Sequence, residues 1–467
     1  MRAREALFQY HPKPFSLEDL QTHSVFTLRG PRRVGKTATL KLLIASLIED
    51  HGVLPRSILW LNLDTIRTPR QLEELILRTF QSKRGDGFEF IFIDEVTSVI
   101  GWQKVIKKYR DNGLLDNRSI LLTGSSSYDL KAGAERMAGR RGRAENPDRV
   151  LLPVGPLQFS TLVASHGVSA EDAVKDFLSV GGFPFRINGY LRARKEAKTW
   201  DPLEGFSIFE DIVFYEFSRR RLDRGLAGEV IGRLCAVGAH AISYSAFAKG
   251  TASKPDTVRR YLDALGDAYL IASICSYDTA RGRVAPKKDR KFLRIDPALG
   301  FLAQALRQGP ANDEAARAEW AVGAILLKEF EARLFEGLSA PRNIFTWKSS
   351  SGNEVDYLVM DRSRSLVLPV EVKWQASVSD WDFQSVERAF GKGYLVTPGL
   401  RKERSKATAL PLAEFERALA AKRYAVTFCD SLRHKKQRRT FLRSRLGGLG
   451  FREELTDLAQ FHMSGPG

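Results

Sequence analysis

Cysteine is scarce in this chain, with three in 467 residues. Cys235, Cys275 and Cys429 stand apart with no C-x-x-C spacing, which excludes a disulfide framework and a zinc site built from cysteines alone. Long apolar runs are also missing. No stretch approaches the ~20 residues of a membrane-spanning helix, and the N-terminal segment lacks the apolar core of a secretory signal. The chain is therefore expected to be cytoplasmic and free of membrane. Acidic residues are few beside basic ones: 55 Asp and Glu against 73 Lys and Arg, a formal net charge of +18. That imbalance points to a polyanionic partner, nucleic acid and DNA foremost. An anionic membrane surface, or a basic protein that merely repels itself, would account for the same charge.

A length of 467 residues, 43% of them hydrophobic, allows two to four ordinary domains. Their organising stretch is Gly30-Pro31-Arg32-Arg33-Val34-Gly35-Lys36-Thr37, which fits G-x-x-x-x-G-K-S/T at every fixed position. An apolar run, Val25 to Leu28, precedes it. An amphipathic pattern with Leu40, Leu43 and Leu47 follows. Strand, glycine loop and helix in that order are what a P-loop requires. Loop amides and the helix N-terminus surround nucleotide phosphates. Lys36 would reach the β- and γ-phosphates of ATP, and the Thr37 hydroxyl would ligate Mg²⁺. The alternative is an ordinary glycine turn before a helix.

Phe88-Glu89-Phe90-Ile91-Phe92-Ile93-Asp94-Glu95 reads as a strand whose four apolar residues run straight into paired acids. Downstream of a P-loop, Asp94 would hold Mg²⁺ and Glu95 would act as general base on the attacking water. Ser119 to Ser127 reads as a further strand with a polar end. Its polar tip, with Thr123 and Ser125, occupies a sensor position. Arg140 and Arg141, set between Gly139 and Gly142, suit an arginine finger, Arg140 foremost; the same loop also suits DNA phosphates. A finger supplied in trans would require a homo-oligomer. Val150 to Phe159 reads as a last strand and exit. Strands alternate with helices through about residue 160, so the sheet should be mainly parallel with helices on both faces.

Together, the P-loop, the Asp94-Glu95 pair followed by Trp102, the Leu122-Thr123-Gly124-Ser125-Ser126 strand end, the Glu135 to Gly142 loop, Pro156-Leu157-Gln158-Phe159 and Gly181-Gly182-Phe183-Pro184 resemble prokaryotic AAA-superfamily ATPases of the archaeal-type, STAND-like group. The resemblance extends from about Val25 to about Lys373. It implies an α/β fold: a P-loop parallel-sheet AAA core (1–160), a helical lid (161–235), a winged helix (236–300) and a C-terminal α/β restriction-endonuclease-like domain (301–430). A basic tail (431–467) follows. Within the lid, Arg219-Arg220-Arg221 reads as a solvated charge run.

Two later regions suggest nucleic acid. Ser243 to Ala248, then Ser253 to Leu265, then an apolar strand give the order of a winged helix. Lys254, Thr257, Arg259 and Arg260 would lie at or near a major groove; packing against the ATPase is the alternative. Lys287, Lys288, Arg290 and Lys291 form a basic stretch before another strand. Further on, Glu314 to Glu336 has helical spacing, and strands follow at Ile344, Glu354 and Leu366. Pro369 in the last of these suggests an edge or a bulge. Asp356 and the Glu371-x-Lys373 pair match the D…E-x-K arrangement of restriction-endonuclease-like nucleases. Asp356 and Glu371 would bind Mg²⁺ at a scissile phosphate. Lys373, on the same strand face as Glu371, would stabilise charge or orient water, and Glu319 on the preceding helix could complete the site. Acids and a lysine on a solvated strand face are the alternative. The chain therefore reads as an ATPase acting with DNA, as a nucleotide-gated switch or scaffold with an inactive nuclease-like domain, or as an ATP-regulated Mg²⁺-dependent nuclease.

Overall fold

The computed structural model describes residues 12, 14–81, 87–124, 126–137, 139–145, 147–331, 341–349, 352–360, 366–404 and 406–431. Ser125 and the tail beyond 431 lie outside the described residues. The chain divides into two units, residues 1–416 and 417–467.

Helix α1 (Leu17–Leu20) leads into β1 (Val25–Arg29), α2 (Lys36–Glu49), β2 (Ile58–Asn62), α3 (Pro69–Gln81), β3 (Phe90–Asp94), α4 (Trp102–Asp111), β4 (Ser119–Thr123), α5 (Ser127–Glu135) and β5 (Asp148–Val150). The strands pair in parallel in the order β2-β3-β4-β1-β5. β1, β3 and β4 are buried at every residue, as parallel strands covered on both faces should be. On one face, Leu72 and Ile76 of α3 and Trp102, Val105 and Ile106 of α4 pack against Ile91, Ile93, Ile120 and Leu122. β4 lies between β1 and β3, so the end of β4 comes between the glycine loop and the acidic tip of β3. The last strand is shorter than expected and starts earlier. Pro153 and Pro156 cannot donate to a ladder, and Pro156 instead opens the next helix at a position that suits it.

α6 (Pro156–Ala164), α7 (Ala170–Val180), α8 (Pro184–Lys195) and α9 (Phe206–Arg219) form the helical segment. Its interior is aromatic, with Phe159 against Phe177 and Phe183 against Phe209. The buried Arg186 donates to the carbonyls of Ser179, Val180, Pro202 and Glu204. α10 (Arg224–Val237), α11 (Tyr244–Ala248) and α12 (Pro255–Asp267) then lead into an antiparallel hairpin, β6 (Ile271–Asp278) and β7 (Arg283–Arg294). Three helices and a two-stranded wing make this a winged-helix-like region.

After α13 (Leu302–Ala305) comes α14 (Glu314–Leu326), which continues as a π turn to Glu331. β8 (Ile344–Lys348), β9 (Glu354–Met360), β10 (Leu366–Val372), α15 (Asp380–Phe390), β11 (Gly393–Thr397), β12 (Lys402–Glu403), β13 (Ala407–Pro411) and α16 (Leu412–Ser431) follow. The sheet order is β12-β13-β11-β10-β9-β8-β6-β7, so the wing continues the C-terminal sheet. β10 is interior, between β9 and β11, and its pairing with β9 shifts register between Leu366 and Leu368. Pro369 is therefore not on an edge; it pairs in register with Leu358, just past the bulge. No helix among the described residues is long and apolar enough to cross a membrane.

Candidate nucleotide site and acid cluster

The glycine loop leaves the buried end of β1 under tight steric limits. Gly30 has φ of 140°, and a Cβ there would stand 2.1 Å from the Leu151 carbonyl oxygen. Gly35 has φ of 101° and serves as the N-cap of α2. Only glycine adopts these conformations without strain. Lys36 is buried, and its ammonium donates to the carbonyls of Gly30 (3.0 Å) and Pro31 (2.9 Å) of its own loop. Burial pushes its pKa down to about 8, with the charges of Glu95 and Asp94 opposing.

The Asp94 carboxylate receives two hydroxyls. Thr37 Oγ1 donates to Oδ2 at 2.7 Å, and the fully buried Thr123 donates to Oδ1. The P-loop threonine, the acid strand and the tip of β4 thus meet on one side chain. Glu95, next along, is half-buried with φ of 56°, a left-handed conformation that costs about 1–2 kcal/mol outside glycine. Thr37 and Asp94 offer oxygen ligands of the kind Mg²⁺ takes.

The helical segment closes on this site through contacts that the sequence did not show. Pro184, which starts α8, stands 3.8 Å from the Cβ position of Gly35. The Arg32 guanidinium stacks on Tyr215 of α9, 3.8 Å from the ring centroid. Arg219, at the end of α9, donates to the Ser126 hydroxyl at 2.5 Å and pairs with Asp129 and with Glu216 (3.6 Å). Arg220 pairs with Asp267 of α12. These two arginines are therefore engaged in ion pairs and do not form the solvated run expected. Local sequence could not reveal this, because Ser126 and Asp129 lie more than 85 residues away.

A second cluster forms in the C-terminal sheet. Glu319 of α14, Asp356 of β9 and Glu371 of β10 converge, with Lys373 3.0 Å from Glu371 Oε1. Into their midst comes Lys291 of β7, only 1% exposed. Its ammonium lies 2.5 Å from Glu319 Oε1 and 3.0 Å from Asp356 Oδ1. Burial alone would lower its pKa, but Asp356 and Glu319 outweigh burial and hold it well above the usual lysine range. The carboxyls of Glu319 and Glu371 are both pushed up, by burial first and by Asp356 second. Asp356 Oδ2 accepts the Val372 amide at 2.8 Å, and Glu371 Oε2 accepts the Asp356 amide at 3.2 Å. Among the described residues no group of three or more His, Cys, Asp or Glu side chains is arranged to hold a metal ion. The expected Mg²⁺ pair, Asp356 and Glu371, is together in space, but its oxygens are taken by amides and ammonium groups.

Residues 22–162 match the family model described as "AAA domain". This segment is an AAA ATPase domain. Residues 319–415 match a second model, "Domain of unknown function (DUF4143)". An uncharacterized protein of Haemophilus influenzae is 26% identical over 300 residues, covering 60% of this chain and 68% of that protein. The structure is similar to that of the Aeropyrum pernix ORC1 protein in complex with DNA, at 14% identity, over 64% of this chain and 86% of that one, with a TM-score of 0.30. For the Aeropyrum pernix ORC2 protein (ADPNP–ADP complexes) the corresponding values are 11%, 64%, 95% and 0.41.

Within the AAA domain the expected finger residues lie far from the domain's own phosphate loop. The Val25 amide donates to the Arg141 carbonyl at 2.7 Å, which puts this loop at the N-terminal end of β1. The P-loop leaves the other end of this five-residue strand, roughly 17 Å away. Arg141 is fixed to Asp148 and the Val25 carbonyl. Arg140 reaches Asp111 at 3.0 Å and is half exposed. Both arginines thus stand at the end of β1 opposite the phosphate loop. In the winged-helix-like region, Lys254, Arg259 and Arg260 are exposed on or beside α12, and Thr257 is half-buried. Arg259 lies 3.6 Å from Asp263, four residues on.

Proposed function

We propose that the AAA domain hydrolyses ATP with Mg²⁺ and that the chain works on nucleic acid, DNA foremost. The observation that carries this reading is the Asp94 carboxylate with Thr37 and Thr123 on its two oxygens. A P-loop hydroxyl and a strand-tip hydroxyl sharing one carboxylate is an arrangement suited to a metal next to phosphates. Lys36 would hold the β- and γ-phosphates, and the bound Mg²⁺ would supply charge neutralisation there. Glu95 would take a proton from the attacking water, and Thr123 at the tip of β4 would help orient it. Arg140 would serve only in trans, from a neighbouring copy in a homo-oligomer. Exposed Lys254, Arg259 and Arg260, with the net charge of +18, favour DNA phosphates as the partner.

We read the module from α14 through β11 as restriction-endonuclease-like. The element order, with Glu319 on the helix, Asp356 on the second strand and Glu371-x-Lys373 on the third, supports this. The position of Lys291 favours a second reading of the output: a nucleotide-gated switch whose nuclease-like domain does not cut.

ATP turnover with and without duplex DNA tests the first reading. Lys36→Ala and Glu95→Gln should each lower turnover by about 100-fold or more. Unchanged turnover in Lys36→Ala would sink it. DNA incubated with Mg²⁺ or Mn²⁺ separates the outputs. Nicking that disappears in Glu371→Ala and Lys373→Ala would favour the nuclease over the switch.

A further inference from the structure

We infer that Lys291 is the resident cation of the acid cluster and keeps it closed to divalent metal. The inference deepens the restriction-endonuclease-like reading and takes from it only the identity of the ion that Lys291 excludes.

Three observations carry it. First, the ammonium lies between Asp356, one of the expected Mg²⁺ pair, and Glu319, the acid that would complete the site, at 3.0 Å and 2.5 Å. A Mg²⁺ ion needs carboxylate oxygens at about 2.0–2.1 Å in near-octahedral array. It cannot share that space with a nitrogen already in contact with both carboxylates. Second, the remaining oxygens of Asp356 and Glu371 are engaged. Asp356 Oδ2 accepts the Val372 amide, Glu371 Oε2 accepts the Asp356 amide, and Glu371 Oε1 faces Lys373. Third, Lys291 does not belong to the element set that bears the acids. It sits on β7, the second strand of the wing, and pairs with Ile274 of β6. The winged-helix-like region therefore delivers the cation to the C-terminal sheet. A cavity of about 580 Å³ reaches Glu319, Val372 and Trp374 from the α10 side, so small ions have access to the cluster's border. Access is present, but the central position is filled.

The contact is therefore autoinhibitory. While β7 keeps its place, each of the three acids has an ammonium group in contact, Lys291 on Glu319 and Asp356 and Lys373 on Glu371. Withdrawal of β7, or loss of the ammonium, would leave Glu319 and Asp356 without their cation and open to a metal ion.

The test is Mn²⁺ titration of the nucleotide-free full chain by isothermal calorimetry. Wild type, Asp356→Asn, Lys291→Met and Lys291→Met/Asp356→Asn are compared, with Lys291→Gln as the fallback if Lys291→Met does not fold. Wild type and Asp356→Asn should give the same heats, with no Asp356-dependent binding below millimolar Mn²⁺. Lys291→Met or Lys291→Gln should gain one Mn²⁺ per chain, at least tenfold tighter than any wild-type binding and abolished by Asp356→Asn. Asp356-dependent Mn²⁺ binding in wild type would overturn the inference, with no folded Lys291 variant needed. A folded Lys291 variant that gains no site would overturn it as well. A Lys291 variant that binds Mn²⁺ but never cuts DNA would instead count against the nuclease-like reading and leave the lysine's role standing.

Discussion

The carboxylate of Asp296 accepts the backbone amide of Gly182 at 2.7 Å. Asp296 lies two residues beyond β7, the strand that carries Lys291. Gly182 lies two residues before Pro184, whose ring stands against Gly35 of the phosphate loop. One buried hydrogen bond thus joins the strand that closes the acid cluster to the turn that touches the nucleotide site. Asp296 also accepts the Ala298 amide at 2.9 Å, and burial pushes its pKa up to about 6 against the pull of both amides. The Gly182 carbonyl in turn accepts from the Val154 amide at 3.1 Å. The route is packed backbone to backbone, which makes it stiff.

Gly182 is the first place to test that stiffness. A Cβ there would lie 2.0 Å from the Val154 carbonyl oxygen and 2.7 Å from its nitrogen. The obstacle is backbone and cannot rotate away. Gly182→Ala should therefore destabilise the fold by at least the roughly 1–3 kcal/mol typical of overpacking. Differential scanning fluorimetry should show a fall in melting temperature of several degrees. An unchanged midpoint would contradict the packing described.

The phosphate loop and the Asp94-Glu95 pair were legible in the sequence because their requirements are local. A strand, two glycines and a lysine must follow one another for the loop to form at all. The parallel core was legible for the same reason, since strand and helix periods alternate. Lys291 was not. Next to Lys287, Lys288 and Arg290 it read as one more residue of a basic stretch. What sets it apart is pairing with Glu319 and Asp356, 28 and 65 residues away. Arg219 was missed likewise, since its partner Ser126 is 93 residues distant. The acids of the second cluster were found by spacing, but spacing could not show that a lysine from another element lies among them.

Nucleotide affinity should depend on pH through Lys36. Its pKa in the free protein lies at about 8 because burial disfavours the ammonium. Phosphate contact favours the charged form, so the pKa rises on binding. Below pH 8 the lysine is already charged and affinity is flat. Above pH 8 binding must take up a proton, and affinity falls by up to about tenfold per pH unit until the pKa of the bound form is reached. Titration with a fluorescent ATP analogue at pH 7, 8 and 9 reads this directly. A flat profile to pH 9 would show that Lys36 is not the buried cation described.

Arg219 joins the last turn of α9 to the exit of β4. Arg219→Ala removes a part-buried charge-assisted bond to Ser126, worth about 1.5–3 kcal/mol, and an exposed pair with Asp129, worth about 1 kcal/mol or less. Neither partner is in the phosphate loop, so nucleotide affinity should stay within about threefold. Turnover should fall by about tenfold or more, because the strand tip beside Thr123 loses its support. Equal losses in affinity and turnover would mean that Arg219 acts on the ground state instead.

The last prediction concerns the exposed face of α12. Arg259 and Arg260 project into solvent, and the Arg259–Asp263 pair is exposed and weak. If these arginines meet DNA phosphates, each contact releases condensed counterions, and the slope of log affinity against log salt steepens by about 0.9 per phosphate. Arg259→Ala and Arg260→Ala should each weaken DNA binding alike across sequences and reduce that slope by about 1. Fluorescence anisotropy between 50 and 200 mM salt measures both quantities. Arg259 makes only a weak exposed pair with Asp263 and a distant contact with the Tyr244 ring at 5.9 Å, so the melting temperature should move little. Loss of binding with an unchanged slope would point away from phosphate contact, and intact binding in the double variant would move the nucleic-acid surface off α12.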